Sequence, residues 1–106
     1  MEYDHKNGTH DEAVRELCEA LLLLKNPEEM HRFLKDLCTP QEIRDLSERW
    51  RVCKILDTGE LSYREIGALT GVSLATIGRI SRFLTTEPHQ GYQLVLKRTQ
   101  KKTLKK

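Results

Sequence analysis

LSYREIGALTGVSLATIGRISRFL, residues 61–84, decides how the rest of the chain is read. The spacing predicts two short helices joined by a sharp turn over residues 62–84. Ser62 is placed to cap the first helix, and Glu65 three residues on can bond back to it, the reciprocal arrangement of a capping box. Ile66 and Leu69 give that helix an apolar side. Gly71 stands where the chain must turn, because glycine takes a positive φ without steric penalty. Val72 fills the corner and Ser73 offers a second N-cap. Ile77, Ile80 and Leu84 then recur at helical spacing and face back onto the first helix.

The other side of the second helix has a different character. Ala75, Gly78, Arg79 and Arg82 project away from the isoleucines, and no carboxylate lies between Glu65 and Glu87. Small residues allow close approach to a surface, and guanidinium groups bond phosphates and guanine edges. A hairpin packed inside a core would seldom keep one side so small and basic. The pattern is a helix-turn-helix, whose second helix enters a major groove of double-stranded DNA. Leu74, Ala75, Thr76, Gly78 and Arg79 are expected near base edges, and Tyr63, Arg64 and Arg82 on phosphates that set the register.

A chain of 106 residues, 38% hydrophobic and 32% charged, makes a single thin domain that gains from pairing with a copy of itself. Charge is unevenly divided. Residues 1–60 hold nine Lys/Arg and fourteen Asp/Glu, whereas residues 61–106 hold nine and two. The basic half contains the helix-turn-helix and attracts a polyanion, while the acidic half is repelled by one. No apolar run is long enough to span a membrane and no leader follows Met1, so a cytoplasmic protein is expected. Cys18, Cys38 and Cys53 are odd in number and form no CxxC pair; buried reduced thiols without a metal are expected. No nucleophile–base constellation or phosphate-binding glycine loop is present, and His31 and His89 read as isolated and exposed, so the chain reads as neither an enzyme nor a cofactor carrier. A rival reading is a protein-interaction module that uses the helix-turn-helix only as a scaffold.

Upstream, residues 1–9 read as a flexible tail, with His5 and His10 as tail residues. Thr9 with Glu12 opens a helix expected from His10 to Lys25. Val14, Leu17, Leu21 and Leu24 make its stripe, and Leu22 and Leu23 carry the stripe round the cylinder. A helix apolar on more than one side must be covered on more than one side, which implies a partner subunit. Asn26-Pro27-Glu28-Glu29 restarts the chain as a second helix, with Met30, Phe33, Leu34 and Leu37 inward. Thr39-Pro40-Gln41-Glu42 repeats the device, and Ile43, Leu46, Trp50, Cys53 and Leu56 stripe a third helix that ends near Asp57, with Gly59 just beyond. Downstream, Thr85-Thr86-Glu87-Pro88 is expected to open a last helix through about Thr99, carrying Tyr92, Leu94, Val95 and Leu96. A basic run follows, Lys97-Arg98 and then Lys101, Lys102, Lys105 and Lys106 in a tail over residues 100–106, read as a disordered, solvated end, with contact to nucleic-acid phosphates as the second reading.

From Thr39 to Leu84, the TP start, the RxR of the third helix, GE-S-RE before the turn and ATI-R in the second helix of the hairpin resemble the Trp repressor family, in particular its Trp-repressor-like (YerC/YecD-type) branch. The resemblance implies an all-α, six-helix Trp-repressor-like fold forming an intertwined homodimer, with two helix-turn-helix heads and the function of a transcriptional repressor. It also implies a ligand question. The two arginines that hold the amino acid in the tryptophan-responsive member match Arg49 and Arg79, and its pocket threonines match Thr39 and Thr76. The glycine that makes room for the indole is Ile80 here, a pocket serine is Phe83, and two leucines are Asp36 and Cys38. A branched side chain and a ring are expected to fill the slot, so that tryptophan binds poorly and any small-molecule effector is a different compound.

Overall fold

The computed structural model describes residues 10–104, with side chains described for residues 10–100. The tail expected over residues 1–9, the Thr9 half of the first capping box, and Lys105 and Lys106 lie outside the described residues. Six helices and no strand are found among the described residues: α1 (His10–Leu21), α2 (Pro27–Leu37), α3 (Pro40–Thr58), α4 (Tyr63–Thr70), α5 (Leu74–Thr85) and α6 (Gly91–Leu104). None is long and apolar enough to cross a membrane. Contacts divide the chain into two compact units, Met1–Ile43 and Arg44–Lys106, with α3 running from the first into the second.

In the first unit α1 stops at Leu21, four residues before the expected Lys25. The backbone tightens there: the Leu23 and Leu24 amides bond carbonyls three residues back, on Ala20 and Leu21. The following helix supplies the reason. Asn26 is extended ahead of Pro27 (φ −155°), as a residue before proline prefers. The Glu29 carboxylate accepts from the Lys25 amide at 2.9 Å, while the Asn26 side chain accepts from the Glu29 amide at 2.9 Å. The capping device therefore reaches back one residue further than the sequence suggests, and takes Lys25 out of α1. Leu22 and Leu23 consequently sit in the turn, 85% and 76% exposed, instead of on a helical stripe. No residue of α1 or α2 is buried. Thr39 and Glu42 form the expected reciprocal cap of α3, the Thr39 amide donating at 2.8 Å and the Glu42 amide at 3.1 Å.

The second unit has its own core. Val52 and Cys53 of α3, Ile66 of α4, Ile77, Ile80 and Leu84 of α5, and Leu96 of α6 are buried together. Trp50, Ile55, Leu56, Val72 and Tyr92 pack against them. Gly59, at φ +70°, follows the end of α3 as expected. Leu69 departs from expectation and stands 56% exposed. The side of α4 that meets α5 is made by Ile66, Gly67 and Thr70, and Leu69 falls well round the cylinder from it. At Gly67 a Cβ would stand 3.4 Å from the Val72 carbonyl oxygen and 3.8 Å from Ile77, ordinary contact distances, so α4 and α5 are close-packed there.

The ends of α6 also differ from the sequence reading. Thr85 and Thr86 close α5 instead of opening α6: the Thr86 and Glu87 amides both bond the Arg82 carbonyl. The chain then passes through Gln90 in the left-handed region (φ 61°) before α6 begins at Gly91. At its far end α6 continues to Leu104, five residues past Thr99, through Gln, Lys, Lys, Thr and Leu, of which all but the threonine are good helix formers. The Gln93 amide group donates to the Leu84 carbonyl at 2.9 Å and fastens the start of α6 to the end of α5.

Candidate functional site

The helix-turn-helix is built by local bonds. Ser62 and Glu65 close the capping box of α4, with the Ser62 amide donating to Glu65 at 2.8 Å and the Glu65 amide to Ser62 at 3.1 Å. Ser62's backbone and side-chain hydrogen bonds hold the Glu65 carboxyl below the usual carboxylate range. Gly71 ends α4 at φ +78°, a left-handed turn that other side chains seldom adopt. The Thr70 hydroxyl donates to the Ile66 carbonyl at 2.7 Å and accepts from the Val72 amide at 3.2 Å, bracing the corner from inside. Ser73 then caps α5, accepting from the Thr76 amide at 3.2 Å. Ile77, Ile80 and Leu84 are 0%, 1% and 5% exposed, so α5 is anchored along one side only.

Along the opposite side, Ala75 is exposed and Gly78 half-buried with nothing near its missing Cβ. Leu74 (53%) and Tyr63 (43%) are exposed at the N-terminal ends of α5 and α4, and Arg64 is exposed beside Tyr63. Thr76 is half-buried, and its hydroxyl accepts from the Ser73 hydroxyl at 3.0 Å. The arginines do not simply point outward. Arg79 lies with its guanidinium carbon 4.5 Å from the Phe83 ring centre, and Arg82 reaches the same ring at 5.4 Å. Arg82 also pairs with Glu87 at 3.6 Å, a carboxylate just beyond the acid-free stretch. Phe83 thus gathers both cations of α5 by cation–π attraction.

Beside this ridge is an open hollow of about 760 Å³, lined by α3, α5 and α6. Arg49 and Arg79 both border it, with Trp50, Phe83 and Tyr92 as its aromatic walls. Trp50 and Tyr92 stack at 6.4 Å, and the Lys54 ammonium sits 5.9 Å from the Trp50 ring. Burial pushes the Tyr92 phenol up, Cys53 adds to the rise, and the Arg49 and Arg79 guanidinium groups pull the other way. Ile80 belongs to the core, and Phe83 narrows the hollow without closing it.

A family model described as Trp repressor protein matches residues 12–100. The chain belongs to the Trp repressor family. Among relatives of this kind is an uncharacterized protein, YerC, of Bacillus subtilis (strain 168), 38% identical over 98 residues, covering 92% of this chain and 89% of that one. The crystal structure of a TrpR-like protein from Eubacterium eligens ATCC 27750 superposes with a TM-score of 0.77 at 38% identity, covering 91% of this chain and 95% of that one. A crystal structure from Staphylococcus aureus gives 0.76 at 39% identity, covering 83% and 86%. The fold is thus the all-α Trp-repressor-like fold expected from the sequence.

The four positions matched to a ligand site in the Trp repressor family have these surroundings. Arg49 and Arg79 share the hollow, Thr76 is tied to the Ser73 cap, and Thr39 caps α3. His89, expected to be isolated, instead stacks on Phe83 with ring centres 6.1 Å apart and planes 9° from parallel. It remains exposed, and it borders the hollow. Its pairing with Phe83 depends on the turn over residues 86–89 that follows α5, not on helical spacing. Burial, and secondarily Asp57, pushes the Cys53 thiol up to about 11, so it serves as a core residue. Cys18 and Cys38 depart from the expected burial, being exposed and half-buried. Among the described residues no three His, Cys, Asp or Glu side chains gather as a metal site.

Proposed function

We propose that the chain is a sequence-specific DNA-binding transcription regulator, a repressor acting as an intertwined homodimer on a palindromic operator in the cytoplasm. The observation that carries this reading is the two-sidedness of α5. Its isoleucines are sealed in the core while Ala75, Gly78, Arg79 and Arg82 lie on the side away from it, in a stretch with no carboxylate between Glu65 and Glu87. The family places regulators of DNA in the same class. A homodimer puts two such ridges about one helical turn of DNA apart, so each half-site meets one recognition helix. Leu74, Ala75, Thr76, Gly78 and Arg79 then approach base edges, and Tyr63, Arg64 and Arg82 grip phosphates. A reading helix this poor in long polar side chains suits base contacts carried through water, as principle allows and as described for the Trp repressor itself.

Selection of bound duplexes from a random pool, with and without tryptophan, tests the proposal. Recovery of two-fold symmetric sequences is expected, with little response to tryptophan; failure to enrich any sequence overturns specific recognition. Arg64→Ala is expected to weaken binding to all duplexes alike and to make the salt dependence shallower by about one unit.

A further inference from the structure

We infer that the basic end of α6 is a second DNA-contacting element, a phosphate-binding ridge that engages the duplex backbone flanking the site read by α5; the inference rests on the DNA-binding function proposed above. No Asp or Glu follows Glu87, while Lys97, Arg98, Lys101 and Lys102 come in close succession and the sequence continues with Lys105 and Lys106. The structure adds what sequence alone does not, because α6 continues through Leu104 and gives this run a helical register. At about 100° per residue, Lys97 and Lys101 share one row of the helix, and Arg98 and Lys102 the adjacent row. Leu96 and Gln100 fall on the opposite side. That opposite side is held by the protein: Leu96 is 6% exposed and Gln100 donates to the Asp57 carboxylate at 3.3 Å. Lys97 and Arg98 are exposed. Lys97 and Arg98 therefore face away from the core, and the helical register puts Lys101 and Lys102 at positions in the same rows.

The Gln100–Asp57 bond also fixes where the ridge is. Asp57 lies in the last turn of α3, and five residues of chain lead from it to Ser62, the cap of α4. Even fully extended, five residues span less than about 18 Å, so the ridge flanks the end of α4 that carries Tyr63 and Arg64. Like charges at i, i+4 repel along a helix, and here two such pairs, Lys97 with Lys101 and Arg98 with Lys102, stand in the described helix with no carboxylate between them in sequence. The ion pairs described, Arg15–Glu19, Arg51–Glu48 and Arg82–Glu87, all lie outside α6. A duplex backbone supplies the missing negative charge in a row, which a compact anion does not.

The test uses the full chain and one mixed-sequence duplex, titrated over a range of salt. Replacing Lys97, Arg98, Lys101 and Lys102 together by Gln keeps helix-forming residues and removes four charges. The logarithmic salt dependence is expected to become shallower by about two to three units, with binding weaker by tenfold or more at about 0.1 M salt. Removing four charges from the first unit instead, with Arg15, Lys25, Arg32 and Lys35 replaced by Gln, is expected to leave the salt dependence as it was. If both sets have equal effects, the ridge makes no local contact and the inference is overturned. If wild type binds and the α6 variant keeps its salt dependence, the inference fails while the DNA-binding reading stands. If wild type does not bind the duplex, both fall. Acetylation of Lys97, Lys101 and Lys102 in the unmodified protein, read by mass spectrometry, gives a check independent of the variants. Protection by the duplex supports the ridge, and unchanged reactivity rejects it.

Discussion

The two compact units of this chain hold their helices in different ways. Residues 44–104 bury seven side chains around Ile66 and Ile77, whereas α1 and α2 bury none. The first unit instead exposes Val14, Leu17, Leu22, Leu23 and Leu37 at 37% to 85%. Its helices are amphipathic and α2 is capped by Asn26, so they are not poor sequences; they have apolar surface exposed in the single chain. The second unit holds the helix-turn-helix and the core beneath it. The contrast is one of burial: the second unit has a core of its own within one chain, although Leu46, Leu69, Leu94 and Val95 stay exposed, and the first unit has none.

Substitution at the centre of the complete unit gives the largest expected effect. Ile66→Ala removes a side chain with no exposed surface, and is expected to destabilise the protein by about 2–5 kcal/mol in denaturant titration. An equal loss from Leu22→Ala, at a side chain 85% exposed, would break the contrast between the units as drawn from one chain.

Next comes an alkaline limit specific to the second unit. The Cys53 thiol, ordinarily titrating near 9.0, is pushed up to about 11 by burial and by Asp57. The folded protein holds this proton where the unfolded chain has released it. The resulting stabilisation is present below pH 9 and is lost as pH rises from 9 towards 11, by about 2–3 kcal/mol. Comparing urea midpoints across that range in wild type and Cys53→Ala isolates the contribution. An identical slope in both would show that the thiol does not govern it.

A smaller effect probes the first unit directly. If a second copy covers its apolar side, Leu23→Ser is expected to weaken association by roughly 1.5–3 kcal/mol, about ten- to a hundredfold in dissociation constant, measured by sedimentation. The unfolding of an isolated chain should hardly change, since Leu23 is 76% exposed there. Unaltered association would place the partner elsewhere or remove it.

What could be read in the sequence was what local chemistry decides. The Ser62–Glu65 and Thr39–Glu42 boxes, the left-handed Gly71 and the Ile77–Ile80–Leu84 anchor each depend on residues within a turn or two of one another. What escaped depends on competition or distance. Nothing within α1 ends it at Leu21; Glu29 of the next helix does, by taking the Lys25 amide. The start of α6 is set by Gln90 in a conformation that glutamine seldom marks. The hollow needs α3, α5 and α6 together, and the placement of Arg79 over Phe83 needs the ring to be held half-buried by them. The side of α5 away from the core was legible as a set of residues, but not as a set of side-chain positions.

That last distinction leads to the smallest predicted effect, within the second unit itself. Arg82 pairs with Glu87 at 3.6 Å, with the two side chains 56% and 35% exposed. An ion pair so open to water contributes between nothing and about 1 kcal/mol, so Glu87 cannot lock the arginine. It still competes with phosphate for the same guanidinium and places a negative charge beside the ridge of α5. In Glu87→Gln the turn should persist, since the Thr86 and Glu87 amides hold the Arg82 carbonyl through the backbone. Affinity for a mixed-sequence duplex is expected to rise about two- to fivefold at low salt, equivalent to about 0.4–1 kcal/mol, with the gain fading as salt screens the charges. In the Arg82→Ala background most of that gain should disappear, because the carboxylate then has no arginine to withhold. A gain that survives intact without Arg82 would mean that Glu87 acts only through its general field, and that Arg82 is no phosphate contact.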